Sequence, residues 1–187
     1  MSTAITVGSI ADLAAKSGVS LAESFISCDA IVIIDVSGSM GAHDSRGDKS
    51  RYDVALEELT ALQQNLPGRC GVIAFSDEVH FIPGGVPPFL GSGTDLAAAL
   101  RFARVADVPE MRFFVISDGE PNEEQAAMAV ARGYNNRIDT IYVGPERDPR
   151  GRDFLARLAQ ATGGQSVTAD RVMELAERIE TLLLKGA

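Results

Sequence analysis

Five residues in three short segments carry oxygen ligands in a pattern suited to a metal ion. They are Asp35, Ser37 and Ser39 in "DVSGSM", Thr94 in "GTDL" and Asp118 in "SDGEPN". Hard divalent cations such as Mg²⁺ take oxygen ligands in a near-octahedral shell and usually keep some of their waters. A shell with two carboxylates and three neutral hydroxyls leaves the ion electrophilic, so it still attracts an acidic group from outside. Gly38 is expected to turn the loop sharply enough for Ser37 and Ser39 to face one point. Each residue also has a plainer use. Thr94 is a natural helix N-cap, Asp118-Gly119 suits a turn, and the two serines suit backbone hydrogen bonds in a tight loop. The metal reading is preferred because the three segments are expected to meet at one edge of the fold.

That expectation comes from the elements around them. "AIVIIDV" is a continuous β-branched run, as in a strand covered on both faces. Tyr52, Ala55, Leu56, Leu59, Leu62 and Leu66 then recur at helical spacing up to Pro67-Gly68. "CGVIAFS" reads as a strand, and "EVHFIP" as a short strand paired to it, with Pro83 marking an edge. "TDLAAALRFARVA" reads as helix, "RFFVISD" as strand and "NEEQAAMAVARG" as helix. "RIDTIYVG" reads as strand, "RDFLARLAQATGG" as helix and "QSVT" as a short strand; a last helix carries Val172, Leu175, Ile179 and Leu182. Such alternation predicts an α/β fold: a doubly wound, mostly parallel central sheet with one antiparallel edge strand and helices on both faces. Ligands bind such sheets at the carboxyl ends of the strands, near the point where the strand order reverses. All three polar segments should lie on that rim.

In these residues the sequence resembles the von Willebrand factor type A domain family with its metal-ion-dependent adhesion site. The family signature is Asp-x-Ser-x-Ser, then a Thr, then an Asp. "RYDVALEEL", "GVIAFSDEVHFIP" and "FLARLAQATGG" also stand in the family's usual places and order. The resemblance makes residues 28–187 one such domain and leaves residues 1–27 as an N-terminal helical arm. It implies that Ser37 and Ser39 ligate the metal directly, and that Thr94 does so directly or through water. It implies that Asp35 and Asp118 act mostly through water. The implied ion is Mg²⁺, with Mn²⁺ or Ca²⁺ as alternatives, and an acidic side chain of a protein partner would complete its shell. Such a module binds and does not catalyse, within a multiprotein complex. The alternative is a structural or assembly unit that docks through its arm.

The arm reads as two short helices broken at Gly18. Ser9 with Asp12, and Ser20 with Glu23, look like capping boxes. Helix, turn, helix also describes half of a DNA-binding motif, but no basic face accompanies it. The net charge is −9 and only three residues are lysine, which disfavours both nucleic acid and an anionic membrane. With no basic-then-apolar leader at the N-terminus and no apolar run of spanning length, a cytoplasmic location is expected. Cys28 and Cys70 read as core thiols.

Enzyme readings fit less well. A Mg²⁺-dependent phosphohydrolase of the haloacid dehalogenase type resembles this chain at Asp35, but it wants a second Asp where Ser37 stands, and a lysine after a later strand. A serine hydrolase needs a base beside its nucleophile, and neither His43 nor His80 is placed for that. "RGD" at 46–48 is read as a chance match to an adhesion tripeptide. "PERDPRGR" should put Arg147, Arg150 and Arg152 in a loop on the metal rim, where they would help hold an acidic partner segment.

Overall fold

The structure is a computed structural model that describes residues 5–66, 69–145 and 147–169. The helix expected around Val172–Leu182 and the Pro67-Gly68 stop lie outside the described residues. The described strands form one sheet in the order β3-β2-β1-β4-β5-β6. They are β1 (Ala30–Asp35), β2 (Cys70–Phe75), β3 (Val79–Phe81), β4 (Arg112–Ser117), β5 (Ile138–Tyr142) and β6 (Ser166–Thr168). All neighbours run parallel except β3, which pairs antiparallel with β2 at one edge. The doubly wound sheet with one antiparallel edge strand is therefore the observed architecture.

The sheet forms where apolar, β-branched runs can be covered on both sides. All six residues of β1 are buried, and so are all six of β2. Successive side chains point to opposite faces, and the core divides accordingly. Ile31 and Ile33 join Ile73, Phe75, Phe113 and Val115 on one face. There they meet α4 (Leu96–Ala103), α5 (Glu124–Ala131) and α6 (Pro149–Ala161) through Leu100, Ala127, Phe154 and Leu155. Val32 and Ile34 join Val72, Phe114 and Ile116 on the other face, under Val54, Leu59 and Leu62 of α3 (Arg51–Asn65). Cutting Leu59 or Leu62 to Ala would cost about 2–5 kcal/mol, the range for fully buried leucines.

Residues 9–26 pack on the same core. Helix α1 (Ile10–Ser17) is capped by Ser9, and α2 (Leu21–Ile26) by a complete Ser20–Glu23 capping box. Only half of the box expected at Ser9 forms, because the Asp12 carboxylate accepts from the Gly8 amide instead. Ile10 is 1% exposed within the sheet's core. Phe25 meets Phe81 edge-on at 5.0 Å. Ser9 forms a parallel bridge with Cys70. Gly71 in β2 lies beneath Ile10, Phe25 and Ile31, so a side chain there would displace Ile31 and press on Phe25. Both cysteines are buried free thiols. Burial pushes Cys28 up to about 11 and Cys70 up to about 12, so neither is a nucleophile at neutral pH.

Candidate metal centre

Strand order reverses between β1 and β4, which are neighbours in the sheet. Asp35 closes β1 and Ser117 closes β4. Their side chains join across that gap: Ser117 Oγ donates to Asp35 Oδ2 at 2.7 Å. The same hydroxyl accepts from the Gly119 amide at 2.9 Å, and the Ser37 amide donates to Asp35 Oδ1 at 2.9 Å. Asp35 is fully buried, with both oxygens bonded. Burial first, and the charge of Asp118 second, push its carboxyl well above the usual range.

The loop after Asp35 is drawn inward by Met40, whose side chain is fully buried. Ser37 Oγ and Ser39 Oγ end 3.3 Å apart. Neighbouring oxygens in a Mg²⁺ octahedron with bonds of about 2.0–2.1 Å lie about 3 Å apart, so this pair fits two adjacent corners. Gly38, between the two serines, opens the tight turn Gly38–Gly41. Its backbone is not left-handed. It instead allows close approach, donating its amide to the Ser92 carbonyl at 2.9 Å where a Cβ would lie 3.2 Å from that oxygen. Leu90 and Gly91 also donate to the Val36 carbonyl, at 3.3 and 3.0 Å, which laces the β3–α4 loop to the Asp35–Ser39 loop.

Thr94 is buried at the end of that laced segment. It is not the cap of α4. Asp95 is, through its carboxylate and the Ala98 amide at 2.9 Å. The shift is physically sensible, since an ionised cap sits well at the positive end of a helix. Thr94 is held instead by Asn122: its amide donates to Asn122 Oδ1 at 3.1 Å, and the Asn122 amide returns a bond to the Thr94 carbonyl at 3.0 Å.

Asp118 is the second buried carboxylate, with its side chain 0% exposed. Oδ2 accepts from Arg51 Nη1 at 2.7 Å, and Oδ1 accepts from the Glu120 amide at 3.3 Å. Gly119 follows with φ +73°, a left-handed turn residue packed against the backbone of Gly151 in the first turn of α6. Arg51 also grips Asp44 with two bonds, Nε to Oδ1 at 2.8 Å and Nη2 to Oδ2 at 3.0 Å.

The fold thus brings Asp35, Ser37, Ser39 and Asp118 to the switch point, with Thr94 on the loop bonded beside them. Among the described residues no three His, Cys, Asp or Glu side chains gather as a metal cluster, so an ion here would depend on the hydroxyls. The donor set and the serine spacing fit a small hard cation. Sequence reasoning missed Arg51, Ser117 and Asn122 as members of this site. For Arg51 a signal existed: it is the first residue of α3, where the helix dipole disfavours a cation, so it needed a carboxylate nearby.

Arg147 stays in the loop expected after β5, and the other two arginines do not. Arg147 lies between β5 and α6, at an open cleft of about 540 Å³ shared with His43, Asp44 and Asp48. Arg150 and Arg152 instead belong to the first turn of α6, because Asp148 caps that helix and Pro149 opens it. Arg150 pairs with Asp148 at 3.2 Å and Arg152 with Asp153 at 3.6 Å. Arg46 of the "RGD" segment spends its guanidinium on Glu57, Glu58 and the Ala169 carbonyl.

No family model matches this chain, and no curated protein sequence matches it significantly. Solved structures do. An aerotolerance-related membrane protein from Bacteroides fragilis, carrying multiple mutations to serine, superposes with a TM-score of 0.63 at 19% identity, over 83% of this chain and 98% of that one. Manganese-loaded TRAP protein from Plasmodium vivax gives 0.55 at 14% identity, over 80% of this chain and 72% of that one. A von Willebrand factor type A protein from Catenulispora acidiphila gives 0.55 at 15% identity, over 80% of this chain and 41% of that one. The six-stranded mixed sheet with its antiparallel edge, superposed on these structures, is the von Willebrand factor type A fold.

Proposed function

We propose that this protein is a metal-dependent protein-binding module. A divalent cation, Mg²⁺ or Mn²⁺, would be held by Ser37, Ser39 and Thr94, with Asp35 and Asp118 oriented behind it. An acidic side chain of a partner protein would complete the shell. The observation that carries this reading is the Ser37–Ser39 hydroxyl pair, 3.3 Å apart, in front of two buried carboxylates. The manganese-loaded neighbour of the same fold supports the choice of ion. A bound cation would supply a Lewis-acidic contact for an external carboxylate, and Ser37, Ser39 and Thr94 are the groups that would hold it.

We further propose binding and not turnover. The two carboxylates of the site, Asp35 and Asp118, are both committed to hydrogen bonds within the chain, which supports a binding role for the hydroxyl pair. Arg147, Arg150 and Arg152 would receive the flanking acidic residues of the partner. Docking through residues 1–27 is the lesser reading, because Ile10 and Phe25 are already spent on the sheet.

The deciding experiment is calorimetric titration of Mg²⁺ and Mn²⁺ into wild type and into the Ser37→Ala/Ser39→Ala variant, followed by partner capture with and without EDTA. Binding in wild type that disappears in the variant, together with EDTA-sensitive capture, is expected. Equal heats in both proteins would refute the site. Mg²⁺-dependent turnover on a phosphoester panel would move the chain to the enzymes.

A further inference from the structure

Arg51 is misplaced by helix electrostatics and well placed by charge. It follows the cap Ser50 at the N-terminus of α3, where the macrodipole opposes a cation. Its guanidinium reaches three carboxylates: Asp118 at 2.7 Å, Asp44 at 2.8 and 3.0 Å, and Glu120 at 3.4 Å. The Arg51 side chain is 9% exposed and that of Asp118 is 0% exposed. A carboxylate so deeply buried requires a counter-charge. Asp35, close enough for Asp118 to raise its carboxyl, has only hydroxyl and amide donors. Arg51 is thus the one described cation on this buried acidic pair.

We propose that Arg51 is a positioning residue that serves as the standing counter-cation of the rim. It holds Asp118 when no divalent ion is present and competes with a divalent ion for that carboxylate. The inference rests on the metal-binding reading above and adds a regulation to it. The guanidinium repels a dication placed beside Asp118, which weakens metal affinity but keeps the empty rim folded. It also bonds Oδ2 at 2.7 Å while Oδ1 accepts from the Glu120 amide at 3.3 Å, so an ion at Asp118 would have to share an oxygen with one of these donors or be held through water. The Arg51 amide bonds the Ala42 carbonyl at 3.0 Å while the side chain grips Asp44. Any shift of Arg51 on metal binding is therefore passed to the loop that walls the cleft at Arg147.

The test compares wild type, Arg51→Met and Arg51→Lys by Mg²⁺ calorimetry and by thermal unfolding in EDTA and in saturating Mg²⁺. Arg51→Met keeps the bulk and removes the charge. In EDTA it should melt about 5–15 °C below wild type, the consequence of one uncompensated buried carboxylate. Mg²⁺ should restore most of that loss, and the variant should bind Mg²⁺ about tenfold tighter than wild type or better. Arg51→Lys, which keeps the charge, should stay within about threefold of wild-type affinity. Equal or weaker Mg²⁺ binding by Arg51→Met, or a melting deficit that Mg²⁺ does not repair, overturns the proposal. If Arg51→Met does not fold in EDTA, Arg51→Met/Asp118→Asn separates charge from packing. Recovery of a cooperative transition supports the counter-cation role, and failure to recover overturns it. Wild type silent to Mg²⁺ while Arg51→Met binds would sink the metal reading for the native chain and keep this inference. Silence in both would sink the two together.

Discussion

The two halves of the rim are built on different terms. Where β1 and β4 end, Asp35, Ser37, Ser117 and Asp118 are all 1% exposed or less, and each is fixed by bonds of 2.7–3.3 Å. Where β5 gives way to α6, the side chains are long and cationic and sit in water. Arg150 is 84% exposed and its ion pair is with Asp148, two residues away. The first half resembles a core that happens to be polar: both oxygens of Asp35 and of Asp118 are bonded, and little can move without leaving a buried group unpaired. The second half makes no such demand. Small residues at fixed spacing suit a site that must hold its geometry, and exposed arginines suit a surface that must accept varied acidic segments.

The seam between the halves is the place to break the contrast. Gly151 in α6 packs backbone to backbone on the Asp118-Gly119 turn, with no room for a Cβ on either glycine. Gly151→Ala should cost about 3 kcal/mol in urea unfolding, since neither backbone can yield as a side chain would. It should also weaken Mg²⁺ binding by displacing Asp118. A near-neutral result would mean that the two halves are mechanically independent.

Within the buried half, Ser117→Ala is the next largest expected effect. It removes the hydroxyl donor to Asp35 Oδ2 and the acceptor of the Gly119 amide, and should cost about 1–3 kcal/mol by unfolding in EDTA. The pH dependence has a definite sign. Asp35 is raised, so the folded state favours its protonated form. The penalty of burying the charge is present at high pH and is lost as pH falls through the folded value. The Ser117→Ala deficit should therefore be larger at about pH 8 than at about pH 5. A deficit that grows on acidification would contradict the geometry around Asp35.

How much of this the sequence revealed follows the same division. The strands and their order of covering were legible because "AIVIID", "CGVIAF" and "RFFVIS" are too apolar for any place but a buried sheet. The convergence of Asp35, Ser37, Ser39, Thr94 and Asp118 on one rim followed from the alternation of elements. The plainer use of Thr94 as a helix cap goes to Asp95, because Thr and Asp are adjacent there, both are good caps, and only the backbone geometry selects between them. Arg150 and Arg152 were assigned to a loop although Asp148-Pro149 is a sound helix start. Arg51 and Asn122 escaped because their partners, Asp118 and Thr94, lie 67 and 28 residues away. Sequence spacing encodes what a loop does to itself, and it is silent on which distant loop lies against it.

Asn122 sharpens the contrast at smaller magnitude. It is exposed, yet it clasps the backbone of Thr94 with two bonds. Asn122→Ala removes the side-chain half of the clasp and should cost about 0.5–1 kcal/mol of stability. Its effect on Mg²⁺ affinity should exceed its effect on stability if Thr94 belongs to the shell. Equal effects would return Thr94 to an ordinary structural role.

The smallest effect on folding is expected at the arginines, and that is what makes them informative. Replacing Arg147, Arg150 and Arg152 together by Gln removes three exposed charges whose ion pairs, where they exist, are with neighbours in sequence. Exposed pairs of this kind contribute little to stability and are screened by salt. The unfolding midpoint should not move, and Mg²⁺ affinity should stay at the wild-type value. Affinity for an acidic partner should fall severalfold, and its salt dependence should flatten, because electrostatic guidance at a rim acts mainly through association rate. Binding kinetics at two salt concentrations read both. An unchanged association rate would remove the arginines from the partner surface and leave the buried half of the rim to recognise the partner alone.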